Sequence, residues 1–152
     1  MTSHITLQRT TSDNPEFQKL AQALEEDLRI RDGHDYLFYA DLNKIDHLPN
    51  VVIAYADGLP IGCGAIRIYD QHSVELKRMY VDPSNRRQRI ATLILAELEK
   101  WSIELGYKNC LLETGANQPE AIDFYKKHNY SLVPKFGKYI ISKNSICFKK
   151  DL

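Results

Sequence analysis

Cysteine is scarce in this chain of 152 residues: there are three, Cys63, Cys110 and Cys147. They lie far apart and form no CxxC pair, which argues against a zinc site or any other metal site, and against a disulfide framework. A reducing, cytoplasmic setting suits such a sequence. Long apolar runs are missing too. The longest, Val51 to Ala56, falls far short of the ~20 residues a membrane helix needs. The opening residues Met1-Thr2-Ser3-His4 lack the basic region and apolar stretch of a secretory signal. No excess of one charge exists: 20 Lys+Arg stand against 20 Asp+Glu. That balance speaks against a generic nucleic-acid binder. Repeats, linkers and low-complexity tracts are absent.

What remains is an ordinary globular composition, with 43% hydrophobic and 26% charged residues. The length predicts one domain over residues 1–152. A chain of this size can bury roughly 68–70% of its unfolded surface, enough for a proper core. Charge is spread unevenly. Residues 1–50 hold five bases and nine acids, whereas residues 126–152 hold seven lysines and one aspartate. Two readings stay open: solvated faces, or a basic tail lying near an anionic ligand.

The order of elements is legible from pattern. His4 to Gln8 alternates like a short strand. Asn14-Pro15 reads as an N-cap followed by proline at the first helical position. Phe17, Leu20, Ala21, Leu24 and Leu28 follow at helical spacing, and Asp32-Gly33 ends the pattern. Asp35 to His47 fits a short helix or an ordered loop. Val51 to Ala56 and Ile61 to Tyr69 read as strands joined by the hairpin dipeptide Asp57-Gly58. Asp70-Gln71-His72 turns again into a third strand, Glu75 to Val81, stopped by Asp82-Pro83. The longest helix carries Ile90, Ile94, Leu98, Trp101 and Leu105 on one stripe and ends at Gly106. Cys110 to Leu112 is apolar without alternation, as in a strand covered on both faces. Strand, long helix and strand at this spacing predict a right-handed βαβ crossover. A further helix starts near Gln118-Pro119, with Asn129 as its left-handed terminator. Two closing strands fall near Ser131–Pro134 and Ser145–Lys149.

The segment from Val81 to Ala91 joins a strand to the long helix. A helix N-terminus presents unpaired N–H groups and partial positive charge, a natural cradle for phosphate. Arg86, Arg87 and Arg89 surround this one. Cations are electrostatically costly at that end of a helix, and a bound anion would offset the cost. The alternative is that the arginines simply point into solvent.

At this point the residues resemble a known family. Arg86 to Ala91 is similar to the acyl-CoA pyrophosphate loop of the GNAT superfamily of N-acetyltransferases, Gln/Arg-x-x-Gly-x-Gly/Ala. Arg86 matches its first position and Ala91 its last; Arg89 replaces the glycine that lets backbone approach phosphate. The family's second signature, Asn-x-x-Ala-x-x-x-Tyr, is matched by Gln118 to Tyr125, with Gln for Asn. Asn129-Tyr130 stands where Gly-Phe is usual. Glu75 to Val81, Leu112 to Gly115 and Ser145 to Phe148 resemble a subgroup of bacterial members. The resemblance covers about residues 4–150.

This resemblance implies an α/β (α+β) architecture: the GNAT fold, a mixed, mostly antiparallel sheet splayed at its two middle strands and flanked by helices. It implies transfer of an acetyl group from acetyl-CoA to the primary amine of a small molecule. The pantetheine would add to strand 75–81 as an extra strand, through Met79, Tyr80 and Val81. The phosphates would meet Arg86, Arg87, Gln88, Arg89, Ile90, Ala91 and Thr92, with Gln118, Tyr125 and Lys127 completing the site; Lys126 or Lys127 would reach the 3′-phosphate. The amide near Met79 would face the thioester oxygen. Tyr125 is the candidate general acid, because a phenol stays protonated at neutral pH. Each of these residues also has a plain structural reading, as core or surface.

An alkyl ammonium must lose a proton before it attacks. Glu75 and Glu113 are the candidate bases, since burial raises a carboxyl toward the useful range; His72 and His128 are weaker ones. Structural salt bridges with Lys77 or Arg78 are the alternative for the carboxylates. The cysteines sit in apolar contexts, so direct transfer is expected rather than an acyl-cysteine route. Residues 31–47 and 133–145, with Asp32, Asp35, Tyr36, Tyr39, Lys135 and Tyr139, are expected to wall the acceptor side. Neither a nucleic-acid nor a membrane partner is expected; a homodimer is left open. Two other functions compete: a non-catalytic CoA-binding or sensing module, and a peptide or protein N-acetyltransferase.

Overall fold

The computed structural model describes residues 4–33 and 47–152. Seven strands form one sheet: β1 (Ile5–Thr10), β2 (Asn50–Ala56), β3 (Leu59–Ile68), β4 (Ser73–Val81), β5 (Asn109–Gly115), β6 (Ser131–Val133) and β7 (Ser145–Asp151). Among the described residues three α-helices accompany them: α1 (Pro15–Asp32), α2 (Ile90–Glu104) and α3 (Pro119–Lys127). The sheet order is β1-β2-β3-β4-β5-β7-β6. Every pair is antiparallel except β4 with β5. That parallel pair is bridged by α2, the crossover its spacing predicted.

Local chemistry starts and stops the helices. Asn14 accepts a hydrogen bond from the N–H of Glu16 at 2.9 Å, and Pro15 opens α1. Gly33 closes it at φ 54°, a left-handed backbone that glycine adopts without strain. Asn129 does the same after α3 at φ 71°.

The sheet is covered on both faces. Phe17 and Leu20 of α1 pack against Val51, Ile53, Cys63 and Ala65. On the opposite face Ile90, Ile94, Leu95 and Leu98 of α2, with Tyr125 of α3, pack against Val52, Ala54, Ile66 and Leu76. Double coverage explains why Val51 to Ala54 reads as an unbroken apolar run. Beneath α2, β3 carries glycine. A Cβ on Gly64 would lie 2.4 Å from Met79 Sδ and 2.9 Å from Ile94 Cγ2, so only glycine lets helix and strand approach this closely. The α2 stripe bends toward Leu95 and Ser102, which leaves Leu105 49% exposed rather than in the expected core row.

Two irregularities shape the middle of the sheet. Pairing of β4 with β5 begins at Ser73↔Asn109 and ends at Glu75↔Leu111; beyond that the strands part. In addition, Ala65 faces Lys77 and Cys63 faces Tyr80, so Arg78 and Met79 together oppose Gly64. This is a β-bulge, and Arg78 takes φ 58° within it. The bulge resets the alternation: Lys77 and Tyr80, three apart, stand on one face with Ala65 and Cys63.

Candidate active site

The parted ends of β4 and β5 open a cleft that holds two adjoining cavities. The larger, about 580 Å³, is lined by Met79, Tyr80 and Val81 of β4, by the loop arginines 86, 87 and 89, and by residues of all three helices. The smaller, about 130 Å³, is lined by Leu76 to Met79, Leu112 to Gly115, and Leu24, Leu28 and Asp32 of α1. Leu24, Met79, Gln118, Ala121 and Tyr125 belong to both walls, so the two cavities meet at these residues.

The larger cavity is built to receive negative charge. Helix α2 starts there without a side-chain cap and with no acidic residue in its first turn. Its N-cap residue is Arg89, in the left-handed conformation at φ 63°, ψ 19°; Arg87 is also left-handed at φ 64°. Asp82, the one acid between Val81 and Ile90, is turned away onto Ser84, whose hydroxyl and N–H donate to it at 2.6 and 2.9 Å. Those bonds, the hydroxyl's first, hold the Asp82 carboxyl below its ordinary range. Arg86 donates from Nε to the Val81 carbonyl at 2.9 Å and lies over the Tyr80 ring, 5.7 Å from its centroid. Among the described residues no carboxylate is paired with Arg86, Arg87 or Arg89. Opposite them stand Lys127 and His128 of α3. His128 joins α3 to the first turn of α2: Nδ1 lies 2.8 Å from the Phe124 carbonyl and Nε2 lies 3.0 Å from Thr92 Oγ1. The carbonyl requires a proton on Nδ1, which leaves Nε2 of the neutral ring to accept from Thr92.

Tyr125 sits where the cavities join. Its ring packs edge-on against Phe124 and Tyr130, with centroids at 5.1 and 5.7 Å. Burial, with a smaller contribution from Cys110, pushes its phenol well above the ordinary range, so it stays protonated. Among the described residues its hydroxyl makes no hydrogen bond. Yet no buried polar side-chain atom there lacks a partner. The hydroxyl therefore keeps accessible surface in the cleft.

Glu113 lines the smaller cavity on the α1 face. The Ser145 hydroxyl donates to its Oε2 at 2.5 Å, and Ser142 backs Ser145 at 2.6 Å. Burial raises the Glu113 carboxyl above its usual range; the Ser145 hydrogen bond and the Lys77 charge oppose that shift. Glu75 is placed differently. It is 1% exposed and belongs to neither cavity wall. Tyr139 donates to it at 2.6 Å, Lys77 Nζ lies 3.4 Å away and Arg67 Nη2 3.3 Å away. Lys77 also donates to the Tyr139 hydroxyl at 2.7 Å, and burial lowers its ammonium to about 8.

Of the sequence-derived cofactor residues, the larger cavity gathers Met79, Tyr80, Val81, Arg86, Arg87, Arg89, Ala91, Thr92, Gln118, Tyr125 and Lys127. Gln88 is exposed outside it, and Ile90 is buried in the core beneath α2. Lys126 is not on the wall. His72 lies at the β3–β4 turn, away from both cavities, with its N–H on Asp70. Most lysines of the basic tail serve elsewhere; Lys150, for example, pairs with Glu99 at 3.0 Å. On the acceptor side Tyr139 covers Glu75, while Lys135 reaches the carbonyls of its own loop. Asp35, Tyr36 and Tyr39 fall outside the described residues. The sequence reading missed the α1 residues Leu24, Asp27 and Arg31, which wall the cleft. A polar face on a surface helix carries no signal of its own. It also missed Arg78, whose guanidinium pairs with Glu25 and ties α1 to the bulge; an arginine at positive φ has no sequence signature.

Comparison with known proteins agrees with this geometry. The model of the acetyltransferase (GNAT) family matches residues 14–130. An IAA acetyltransferase of Azospirillum brasilense is 33% identical over 102 residues, which span 66% of this chain and 67% of that protein. An N-acetyltransferase of Bacillus subtilis, YjcF, is 31% identical over 93 residues, 59% of this chain and 64% of its own. Among solved structures, a Klebsiella pneumoniae protein described as an acyl-CoA N-acyltransferase superposes with TM-score 0.81 at 26% identity, covering 99% of both chains. The PaiA N-acetyltransferase of Thermoplasma acidophilum, solved with coenzyme A, shares the fold with TM-score 0.72 at 19% identity, over 98% of this chain and 99% of that one. The chain belongs to the GNAT family of acetyltransferases.

Proposed function

We propose that this GNAT acetyltransferase moves the acetyl group of acetyl-CoA directly to the primary amine of a small molecule. The observation that carries the reading is the gap in the sheet: Tyr125 reaches it from the α2/α3 face, where a cationic cavity meets a smaller one, and Glu113 lines that smaller cavity from the α1 face. Arg86, Arg87, Arg89 and Lys127, with the uncapped start of α2, hold the phosphates. The unpaired edge of β4 beyond Glu75 takes the pantetheine as an added strand.

In the acceptor cavity Glu113, its carboxyl raised by burial, takes a proton from the incoming ammonium, directly or through water. The freed amine attacks the thioester carbonyl; the C–N bond forms and the C–S bond breaks. Tyr125, on the opposite face, gives its proton to the departing sulfur and is reprotonated from solvent, while the second proton of the new amide nitrogen leaves through water. Two carboxyl or hydroxyl groups on opposite sides of the reacting carbon are what the two proton transfers require. The cysteines stay out of this path. Cys63 and Cys110 are pushed up to about 12 by burial, and neither lines a cavity. The small volume of the acceptor cavity, about 130 Å³, supports a small amine.

The test is a thiol-release screen over amino acids, polyamines, aminoglycosides and peptides, followed by Tyr125→Phe on whichever amine turns over. Loss of one hydroxyl should lower kcat at least tenfold with little change in the KM for acetyl-CoA, and less with a donor whose thiol leaves more easily. Release from no amine, or turnover on peptides alone, would overturn the small-molecule reading.

A further inference from the structure

Two carboxylates stand on the wall of the otherwise cationic cavity, Asp27 of α1 and Glu120 of α3. Glu120 is engaged by Arg31, also on that wall, in a two-pronged contact: Nη1 donates to Oε2 at 3.0 Å and Nη2 to Oε1 at 3.3 Å. Nε of Arg31 lies 3.5 Å from Asp27 Oδ2. The pair thus bridges α1 and α3 across the cavity, with Glu120 68% exposed at the edge. Hydrogen bonding by Arg31 is the main cause that holds the Glu120 carboxyl below its ordinary range, and the charge of Arg86 adds a smaller share. Arg31 is therefore unlike Arg86, Arg87 and Arg89: it already holds an anion, and the protein supplies it.

We infer that Arg31 is a further ligand for the phosphates of the acyl donor, released to them by Glu120, and that Glu120 is a resident competitor that weakens the grip on donor and product alike. This rests on the acetyl-CoA reading above. A guanidinium fork presents the same two parallel N–H groups to a carboxylate and to a phosphate. Exchange keeps both hydrogen bonds and brings the donor's larger charge into the cationic wall. Glu120, left behind, returns to water at the N-terminus of α3, where a carboxylate is welcome. An exposed ion pair contributes little to stability, so it opens easily. The pair is not needed to hold α1, which Phe17 and Leu20 anchor to the sheet and Arg78–Glu25 ties to the bulge. The chemistry gives the competitor a use. The spent donor keeps every phosphate it arrived with, so a wall of unopposed cations would retain it.

Calorimetric titration of the full chain with CoA tests this, using wild type, Glu120→Gln and Arg31→Gln at low and high salt. Glu120→Gln should tighten CoA and Arg31→Gln should weaken it, each roughly twofold to fivefold, the scale of one partly exposed charge pair. Arg31→Gln should also lessen the salt dependence. In the CoA-free protein both variants lose the Arg31–Glu120 pair, and Arg31→Gln also loses the Asp27 contact, so both melting temperatures should fall, Arg31→Gln at least as far. Opposite effects on CoA with melting shifts of one sign support the exchange. CoA affinities that move together, or that do not move, overturn it and leave a structural brace. A wild type that binds no CoA would overturn the acetyl-CoA reading itself.

Discussion

Arg87 and Arg89, on the donor side of the cleft, stand at positive φ with no carboxylate partner among the described residues. On the acceptor side Glu75, Lys77 and Tyr139 close on one another at 2.6–3.4 Å, and Arg78 is tied to Glu25. Both regions are rich in charge, and they use it differently. Donor-side cations are held without carboxylate partners, at a backbone cost; under the proposed function a multiply charged ligand satisfies them. Acceptor-side charges satisfy each other and so fix the shape of the β4–β5 opening; a buried charge without such partners would be prohibitively costly. Glu113 is the exception on its side. Its partner is a neutral hydroxyl, Ser145, so its charge remains available to the chemistry.

The sharpest way to break this contrast is at that exception. Glu113→Gln keeps the shape and the Ser145 contact but removes the base. With a good amine, kcat should fall by about 10²–10⁴-fold, the rise of rate with pH through the Glu113 carboxyl should vanish, and the KM for acetyl-CoA should hold. Unchanged pH–rate profiles would place Glu113 among the closed structural charges with Glu75.

A smaller effect is expected from Arg86→Ala. It removes a cavity cation that has no carboxylate partner among the described residues, so the KM for acetyl-CoA should rise roughly tenfold, since a charged contact is worth about 1.5–3 kcal/mol before screening by solvent. The rise should shrink in high salt. A fall in kcat larger than the rise in KM would show that the arginine acts on the reacting centre.

Lys77 tests the closed side by pH. Its folded-state value, lowered to about 8 by burial, lies below the ordinary lysine range. Between the two values the unfolded chain binds more protons, so this group makes the folded state more stable as pH rises from about 8. Chemical denaturation of wild type against Lys77→Met should show the wild type gaining stability relative to the variant over that window. A pH-independent difference would mean that Lys77 is not desolvated in solution.

The smallest expected change is at Arg89. At φ 63° a residue with a Cβ is strained, by about 1 kcal/mol. Arg89→Gly should raise the melting temperature slightly and cost CoA affinity less than Arg86→Ala does. Loss of CoA binding in Arg89→Gly would show that the side chain replaces the backbone contact that glycine would allow.

Much of this protein follows from the chain alone. The caps at Asn14 and Asn129, the turn at Asp57-Gly58, the βαβ spacing and the arginine-rich start of α2 all depend on residues within a few positions of one another, where hydrogen-bond geometry and hydrophobic period act directly. Loop and tyrosine helix therefore stood out in the sequence as candidates, and the structure places Arg86 and Tyr125 on one cavity wall. Tertiary structure decided the rest. Glu75 and Glu113 are alike in sequence, but a tyrosine 64 residues away seals the first, while the second faces a cavity. The end of β4–β5 pairing at Glu75↔Leu111 and the bulge at Arg78–Met79 leave no mark in local pattern. Nor does the arrival of Arg31 at Glu120, 89 positions on. Burial, pairing register and long-range ion pairs are properties of the packed whole. They set which of several identical side chains is desolvated, which is partnered and which is left to act.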